Sequence, residues 1–193
     1  SVYFPRMDDK GHVLIQIATS DPVGEWRDIM PGLLLAITSA KNYIYIQTPY
    51  LLPTEVILVA LKTSALSGVD VRIMIPEHSD SRMVHWGTCS YLEELMEAGV
   101  RIYMYQKGFL HSKLMVSDDS LASVGSTNID FRSFEHNFEA NAFLYDSASV
   151  LQLKEIFLSD QKDAKLLHLR TWRMRPWYQK VKESVIRLFS PLL

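Results

Sequence analysis

The sequence predicts an α/β domain built on a mixed β-sheet with helices on both faces. Three observations carry that expectation. Between Ile44 and Tyr105 strand-like alternation gives way to helical spacing twice, glycine and proline punctuate each change, and three strand patterns follow in quick succession after Gly108. Two strand–helix crossovers that feed a run of adjacent strands give a sheet of mixed direction covered on both sides.

Element by element, residues 12–19 (HVLIQIAT) form a strand candidate, and a helix is expected to begin near Glu25. Residues 44–48 (IYIQT) read as a strand ended by Pro49. Pro53 and Thr54 then open a helix with Val56, Ile57, Ala60 and Leu61 on one face, closed near Gly68. Residues 69–76 alternate Val69, Val71, Ile73 and Ile75 with Asp70 and Arg72 before Pro76 stops the strand. From about Ser81 to Ala98 the apolar positions Val84, Tyr91, Leu92, Leu95 and Met96 recur at helical spacing, and Gly99 stands where a C-terminal cap belongs. A strand over 100–105 follows. The strands after Gly108 are 110–117 (LHSKLMVS), 120–126 (SLASVGS) and 137–145 (NFEANAFLY), and helix resumes at about Ala148.

At 193 residues, 48% hydrophobic and 22% charged, the chain is long enough for one domain with a proper core and far from a disordered composition. A single domain over 1–193 is expected, its last part, 162–193, being a basic and aromatic segment. The longest apolar runs fall well short of the roughly 20 residues that cross a bilayer as a helix. The chain opens at Ser1 without methionine, so upstream sequence is expected. Lone Cys89 cannot form an internal disulfide and is expected to be a small buried hydrophobe. The net charge of −2 hides an asymmetry: residues 162–187 hold eight Lys or Arg against Asp163 and Glu183, a net +6, leaving −8 elsewhere. Interleaved with Trp172, Trp177 and Tyr178, that stretch suits either anionic headgroups or phosphates, or a solvated helix face with packed aromatics.

The chemistry concentrates in 111–128. His111 and Lys113 are two apart and share a strand face, while Leu110, Ser112, Leu114 and Val116 take the other, so the polar pair has no packing reason to be there. A phosphodiester is an anion, and displacing its alkoxide needs positive charge and donors. Neutral imidazole can attack phosphorus and divide one displacement into two, which makes His111 a nucleophile or general acid. Lys113 would hold the nonbridging oxygens. Ser126 and Asn128, also two apart, would donate hydrogen bonds to the phosphate. Phe138, Ala140 and Ala142 read as the apolar face of their strand, so Asn137, Glu139 and Asn141 are expected to point the opposite way. Tyr50, just past a strand end where ligands of such sheets bind, is a substrate-pocket candidate or a packed terminal aromatic. Neither a metal-ligand cluster nor a nucleotide loop is evident, so no metal or cofactor is expected.

Together these residues spell H-x-K-x4-D-x6-G-S-x-N over His111, Lys113, Asp118, Gly125, Ser126 and Asn128, which resembles the signature of the phospholipase D superfamily. TPYLLP at 48, GVDVRIMIP at 68, RSFEHNFEANAFLYD at 132 and the closing RLFSPLL extend the likeness to the C-terminal half of the bacterial cardiolipin synthases. The resemblance implies a phospholipase D-like fold, phosphatidyl transfer between phosphatidylglycerol molecules through a phosphohistidine, and Glu139 orienting the histidine. It places Asp118 in the motif, where its position at a strand end favours a turn-bridging role over a catalytic one. It implies a membrane-bound parent with its catalytic domain facing the cytoplasm or peripheral. An in-line displacement needs a second acid, so a second motif is expected upstream or from a twofold partner chain. A dimeric single-motif nuclease, and an inactive isolated half that docks on lipid, are the alternatives; the acidic net charge disfavours nucleic acid as a partner.

Overall fold

The computed structural model describes residues 11–23 and 28–192. The expected helix start near Glu25 lies outside them. The strands are β1 (Ile15–Ser20), β2 (Tyr43–Gln47), β3 (Leu51–Leu52), β4 (Asp70–Pro76), β5 (Arg101–Tyr105), β6 (Leu114–Ser117), β7 (Leu121–Gly125), β8 (Ile129–Asp130), β9 (Glu139–Leu144) and β10 (Ala164–Leu166). The helices are α1 (Ile29–Ser39), α2 (Glu55–Leu66), α3 (Arg82–Glu97), α4 (Phe131–Glu135), α5 (Ser147–Gln161), α6 (Leu169–Arg173) and α7 (Trp177–Arg187), followed by a 3₁₀ turn at Ser190–Leu192.

Among the described residues, eight strands form one sheet in the order β1-β9-β7-β6-β2-β4-β5-β10, and β3 pairs with β8 beside it. β2, β4 and β5 are parallel to one another, and the remaining neighbours of the large sheet are antiparallel. The mixed sheet therefore follows from the connections: helices carry the chain back between β2, β4 and β5, and a tight turn joins β6 to β7.

Period-two alternation decides which side each strand buries. In β2, Ile44 and Ile46 join a core with Leu33 and Ile37 of α1, Ile57 and Leu61 of α2, and Leu92 and Leu95 of α3. Tyr43 and Tyr45 face the other way and pack with Val116 and with Val150 and Phe157 of α5. The sheet is thus covered on both faces. Each fully buried aliphatic or aromatic side chain stabilises the fold by roughly 1.5–3 kcal/mol relative to exposure. Cys89 is 3% exposed, and burial pushes its thiol up to about 12, so it packs as a hydrophobe. Local signals fix the helix ends: Ser81 Oγ accepts the Val84 N–H at the start of α3, and Gly99, at φ 99°, supplies the left-handed turn after it.

Register brings one edge of the sheet together. Leu114 pairs with Gln47, Gly125 with Asn141, and Ser20 with Glu139. The carboxyl ends of β1, β2, β4, β5 and β7 therefore meet the amino ends of β6 and β9 at that edge.

Two strand expectations need correction. The strand expected over 110–117 begins only at Leu114, so His111 and Lys113 lie in the segment that leads into it. In β9 the buried side is the polar one: Asn141 is 4% exposed and Phe143 3%, whereas Phe138 is 78% exposed and Ala140 is exposed too. Glu139, Asn141 and Phe143 share the inner side, as period two requires, but the pattern of Phe138, Ala140 and Ala142 marks the outer one.

Candidate active site

The site residues stand at the edge where those strand ends meet. Lys113 precedes β6, Ser126 and Asn128 follow β7, Glu139 opens β9, and Tyr50 follows β2. The last rung of the β6–β7 ladder is the Gly125 N–H donating to the Lys113 carbonyl at 3.3 Å. Lys113 Nζ lies 3.1 Å from His111 Nε2 and donates to the His111 carbonyl at 3.2 Å. An ammonium only donates, so the charged lysine meets the Nε2 lone pair and the ring proton belongs on Nδ1. His111 is exposed, with its ring 5.5 Å from that of Phe109.

Glu139 does not bond to His111. Its Oε2 accepts a short hydrogen bond from Ser126 Oγ, and its Oε1 accepts from Asn137 Nδ2 at 3.1 Å. The hydroxyl and the amide on its own side of the edge capture the carboxylate, while the imidazole turns to Lys113. Ser126 Oγ also accepts the Ala140 N–H at 3.0 Å. Asn128 Nδ2 donates to Ser133 Oγ at 3.2 Å, and its carbonyl oxygen is buried without a partner. Ser126 and Asn128 thus stand on one edge, yet their donors are directed to protein acceptors.

Asp118 lies at the far end of the β6–β7 hairpin. Its carboxylate accepts the backbone N–H groups of Lys41 at 2.6 Å, Asn42 at 2.9 Å and Tyr43 at 2.8 Å, tying the turn to the start of β2. It adopts φ 50°, a left-handed conformation that aspartate tolerates. Tyr50 donates to both oxygens of Asp80 at 2.8–2.9 Å, its ring is 6.3 Å from Phe109, and burial with that carboxylate raises its phenol to about 12. Tyr50, Phe109 and His111 therefore form a continuous wall.

The family described as "Cardiolipin synthase, PLD-like domain" matches residues 33–161. This chain belongs to that family. In its phospholipase D-like domain, His111, Lys113, Asp118, Gly125, Ser126 and Asn128 all fall inside the matched region. A cardiolipin synthase of Listeria welshimeri is 46% identical over 191 residues, covering 99% of this chain, and cardiolipin synthase 2 of Staphylococcus epidermidis is 46% identical over 193 residues. This chain spans 40% of the length of each. Among solved structures, the phospholipase D family member Nuc from Salmonella typhimurium has the same fold at TM-score 0.69 and 19% identity, covering 81% of this chain and 99% of its own. Phosphatidylserine synthase from Haemophilus influenzae matches at TM-score 0.71 and 15% identity, covering 93% of this chain and 46% of its own.

Gln47, Ser123 and Thr127 of the phospholipase D-like domain had no sign in the sequence; with Asn141, expected on the same side as Glu139, they line a cavity of about 10 Å³ behind Lys113. They form a polar floor: Asn141 accepts the Thr127 N–H at 3.3 Å and donates to Ser123 at 3.0 Å. Among the described residues no group of three or more His, Cys, Asp or Glu is placed to hold a metal ion.

Asp130 was also missed. It is 4% exposed, and its Oδ1 accepts the Ser133 N–H at 2.6 Å, capping α4. Burial raises its carboxyl above the ordinary range, and hydrogen bonds from Ser133 and Asn128 only partly offset this. Partial burial likewise lowers the Lys113 ammonium, while the charges of Glu139 and Asp130 pull it back up. Between the unfolded and the raised folded value of Asp130 the native state holds the extra proton, so stability falls as pH rises through that window. Asp130→Asn keeps the acceptor for α4 and removes the buried charge. Its melting temperature at pH 7 is expected to rise by about 2–4 °C, with the difference closing near pH 4. Loss of that carboxylate also weakens support for the Lys113 cation, so the alkaline limb of turnover is expected to move to lower pH. A lower melting temperature at pH 7 would contradict this account.

Proposed function

We propose that this chain is one half-site of a phosphatidyltransferase that makes cardiolipin from two phosphatidylglycerol molecules and releases glycerol. The observation that carries this reading is the contact of Lys113 Nζ with His111 Nε2 at 3.1 Å, in a domain of the cardiolipin synthase family. In the free site the ammonium occupies the lone pair that must attack. An arriving phosphate offers Lys113 better acceptors in its nonbridging oxygens, which draws the cation away and frees Nε2.

His111 Nε2 then forms a bond to phosphorus as the bond to the glycerol oxygen breaks, and an acid on the opposite side protonates the departing glycerol. A hydroxyl of the second phosphatidylglycerol gives its proton to that same group, now a base, and attacks phosphorus. The P–N bond breaks and cardiolipin leaves. Ser126 and Asn128 would turn their donors to the phosphate, Glu139 would stabilise imidazolium charge, Asp118 would hold the hairpin, and Tyr50 would line the headgroup pocket. The acid on the opposite side is assigned to a second histidine, from an upstream motif in the longer protein or from a twofold copy of this chain. The parent is placed at the cell membrane, with this domain peripheral or facing the cytoplasm; no helix among the described residues is long and apolar enough to cross a membrane.

A dimeric nuclease of the same superfamily is the second reading, and the likeness to Nuc along 99% of that chain favours it as far as domain size goes. The test is to incubate the longer protein with phosphatidylglycerol and, separately, with plasmid DNA. Cardiolipin and glycerol in equal amounts are expected, with intact plasmid. Nicked DNA beside unchanged lipid would overturn the assignment.

A further inference from the structure

Helix α7 is attached by its polar side. Glu183, only 6% exposed, is held by Arg175 through two hydrogen bonds of 2.7 and 3.0 Å. Lys180 pairs with Glu93 of α3 at 3.3 Å, and Arg187 pairs with Glu94 at 2.6 Å while lying over the Tyr91 ring. These contacts fix which way the helix faces.

The opposite side is apolar and faces outward. Trp177, Val181, Val185 and Leu188 follow one another at helical spacing and are 76%, 51%, 50% and 78% exposed. Tyr178 and Phe189 border the stripe, at 59% and 48%. A surface helix of an ordinary domain turns such a stripe to the core; here ion pairs have taken that side. A contiguous outward stripe of large apolar residues marks a contact surface.

From this geometry we infer that the outward side of α7 is a docking surface for an anionic lipid bilayer. Charge complementarity selects that occupant. Lys180, which pairs with Glu93, and Lys182, whose ammonium lies 3.0 Å from the centre of the Trp86 ring, border the stripe on either side, the pattern of a helix that lies in the headgroup plane, and Trp177 and Tyr178 are side chains suited to that depth. Residues 162–187 carry a net +6, and with Glu93, Glu94 and Glu97 of α3, which pair with Arg173, Lys180 and Arg187, this part of the chain keeps a net +3 against −5 elsewhere, a balance that favours negative lipid on this side. The surface also connects to the site. The 3₁₀ turn after α7 packs on α4, the helix that Asp130 caps directly after Asn128. The inference shares its lipid with the proposed function, but its test reads binding without turnover, so either can fail alone.

The test is sedimentation of this chain with vesicles of equimolar phosphatidylcholine and phosphatidylglycerol, and with pure phosphatidylcholine. Binding is expected to the anionic vesicles, weakened by salt. Val181→Glu/Val185→Glu/Leu188→Glu should weaken it roughly tenfold or more, whereas Leu66→Glu, at a 73% exposed position on α2, should leave it within about twofold. Should the triple variant melt early, Trp177→Ser/Leu188→Ser serves instead. Hydrogen exchange in the longer protein should show the α7 segment protected only when anionic vesicles are present. The inference is overturned if the chain ignores anionic vesicles, if the variants bind them as well as the original chain, if lipid-free sedimentation velocity shows a dimer that these variants dissolve, or if α7 is protected in the longer protein without lipid.

Discussion

His111→Ala is expected to lower turnover of the longer protein by about three orders of magnitude or more, with its melting temperature changed by no more than about a degree. The two halves of that expectation come from different facts. His111 is exposed and lies before β6, so the fold loses little packing when the ring is removed. In the proposed reaction the chemistry loses its nucleophile, the Nε2 that Lys113 covers in the free site and would release to an arriving phosphate. Lys113→Met separates the roles. It unmasks Nε2 but removes the cation that draws charge onto the nonbridging oxygens, and turnover is expected to fall by roughly a hundredfold or more. Single-turnover kinetics beside thermal melting make the comparison. A His111→Ala protein that keeps a tenth of its activity would remove His111 from the reaction.

Gly125→Ala is expected to cost about 1–3 kcal/mol of stability and to impair turnover together with it. A β-carbon at this position would run into Asn141 Oδ1 and into the backbone carbonyl of Ala140 on β9. The neighbouring strand approaches so closely that a hydrogen is all that fits. Relief would require β7 and β9 to separate where Gly125 donates to Lys113 and Ser126 meets Glu139, so the clash reaches both sides of the site. Urea denaturation and steady-state kinetics on the same protein check the coupling. Adding Asn141→Ala removes the side-chain part of the clash and leaves the carbonyl, so partial recovery of stability is expected. Full stability in Gly125→Ala alone would show that the strands yield without cost.

Most of the fold was legible because its core obeys simple periods. The alternation of Val69, Val71, Ile73 and Ile75 predicted β4 to within a residue, the helical spacing from Ser81 predicted the start of α3, and Gly99 was readable as its capping residue. The two-residue strands β3 and β8 were not, because nothing in Leu51, Leu52, Ile129 and Asp130 by themselves says that they will pair. Nor was the inner side of β9, where Asn141 is buried by its bonds to Thr127 and Ser123 and no hydrophobic pattern can register it. The residues brought to the sheet edge were named from a motif, whereas their partners were not. Glu139 meets Ser126 and Asn137, Tyr50 meets Asp80, and Phe109 stands against His111. Those pairings depend on register and loop course, which spacing along the chain does not encode. Asp130 escaped for a related reason: a carboxylate beside a short helix reads as surface until burial is known.

The ladder between β6 and β7 ends at the Lys113 carbonyl, and the imidazole is attached two residues beyond it. At its other end the same hairpin is riveted to 41–43 through Asp118. Mechanically the hairpin is a bracket with its anchor at one end and its tool at the other. In the proposed cycle an imidazole that advanced on phosphorus and withdrew again would do so from a loop beyond the last rung, so that no rung of the sheet would have to break and re-form with every turnover.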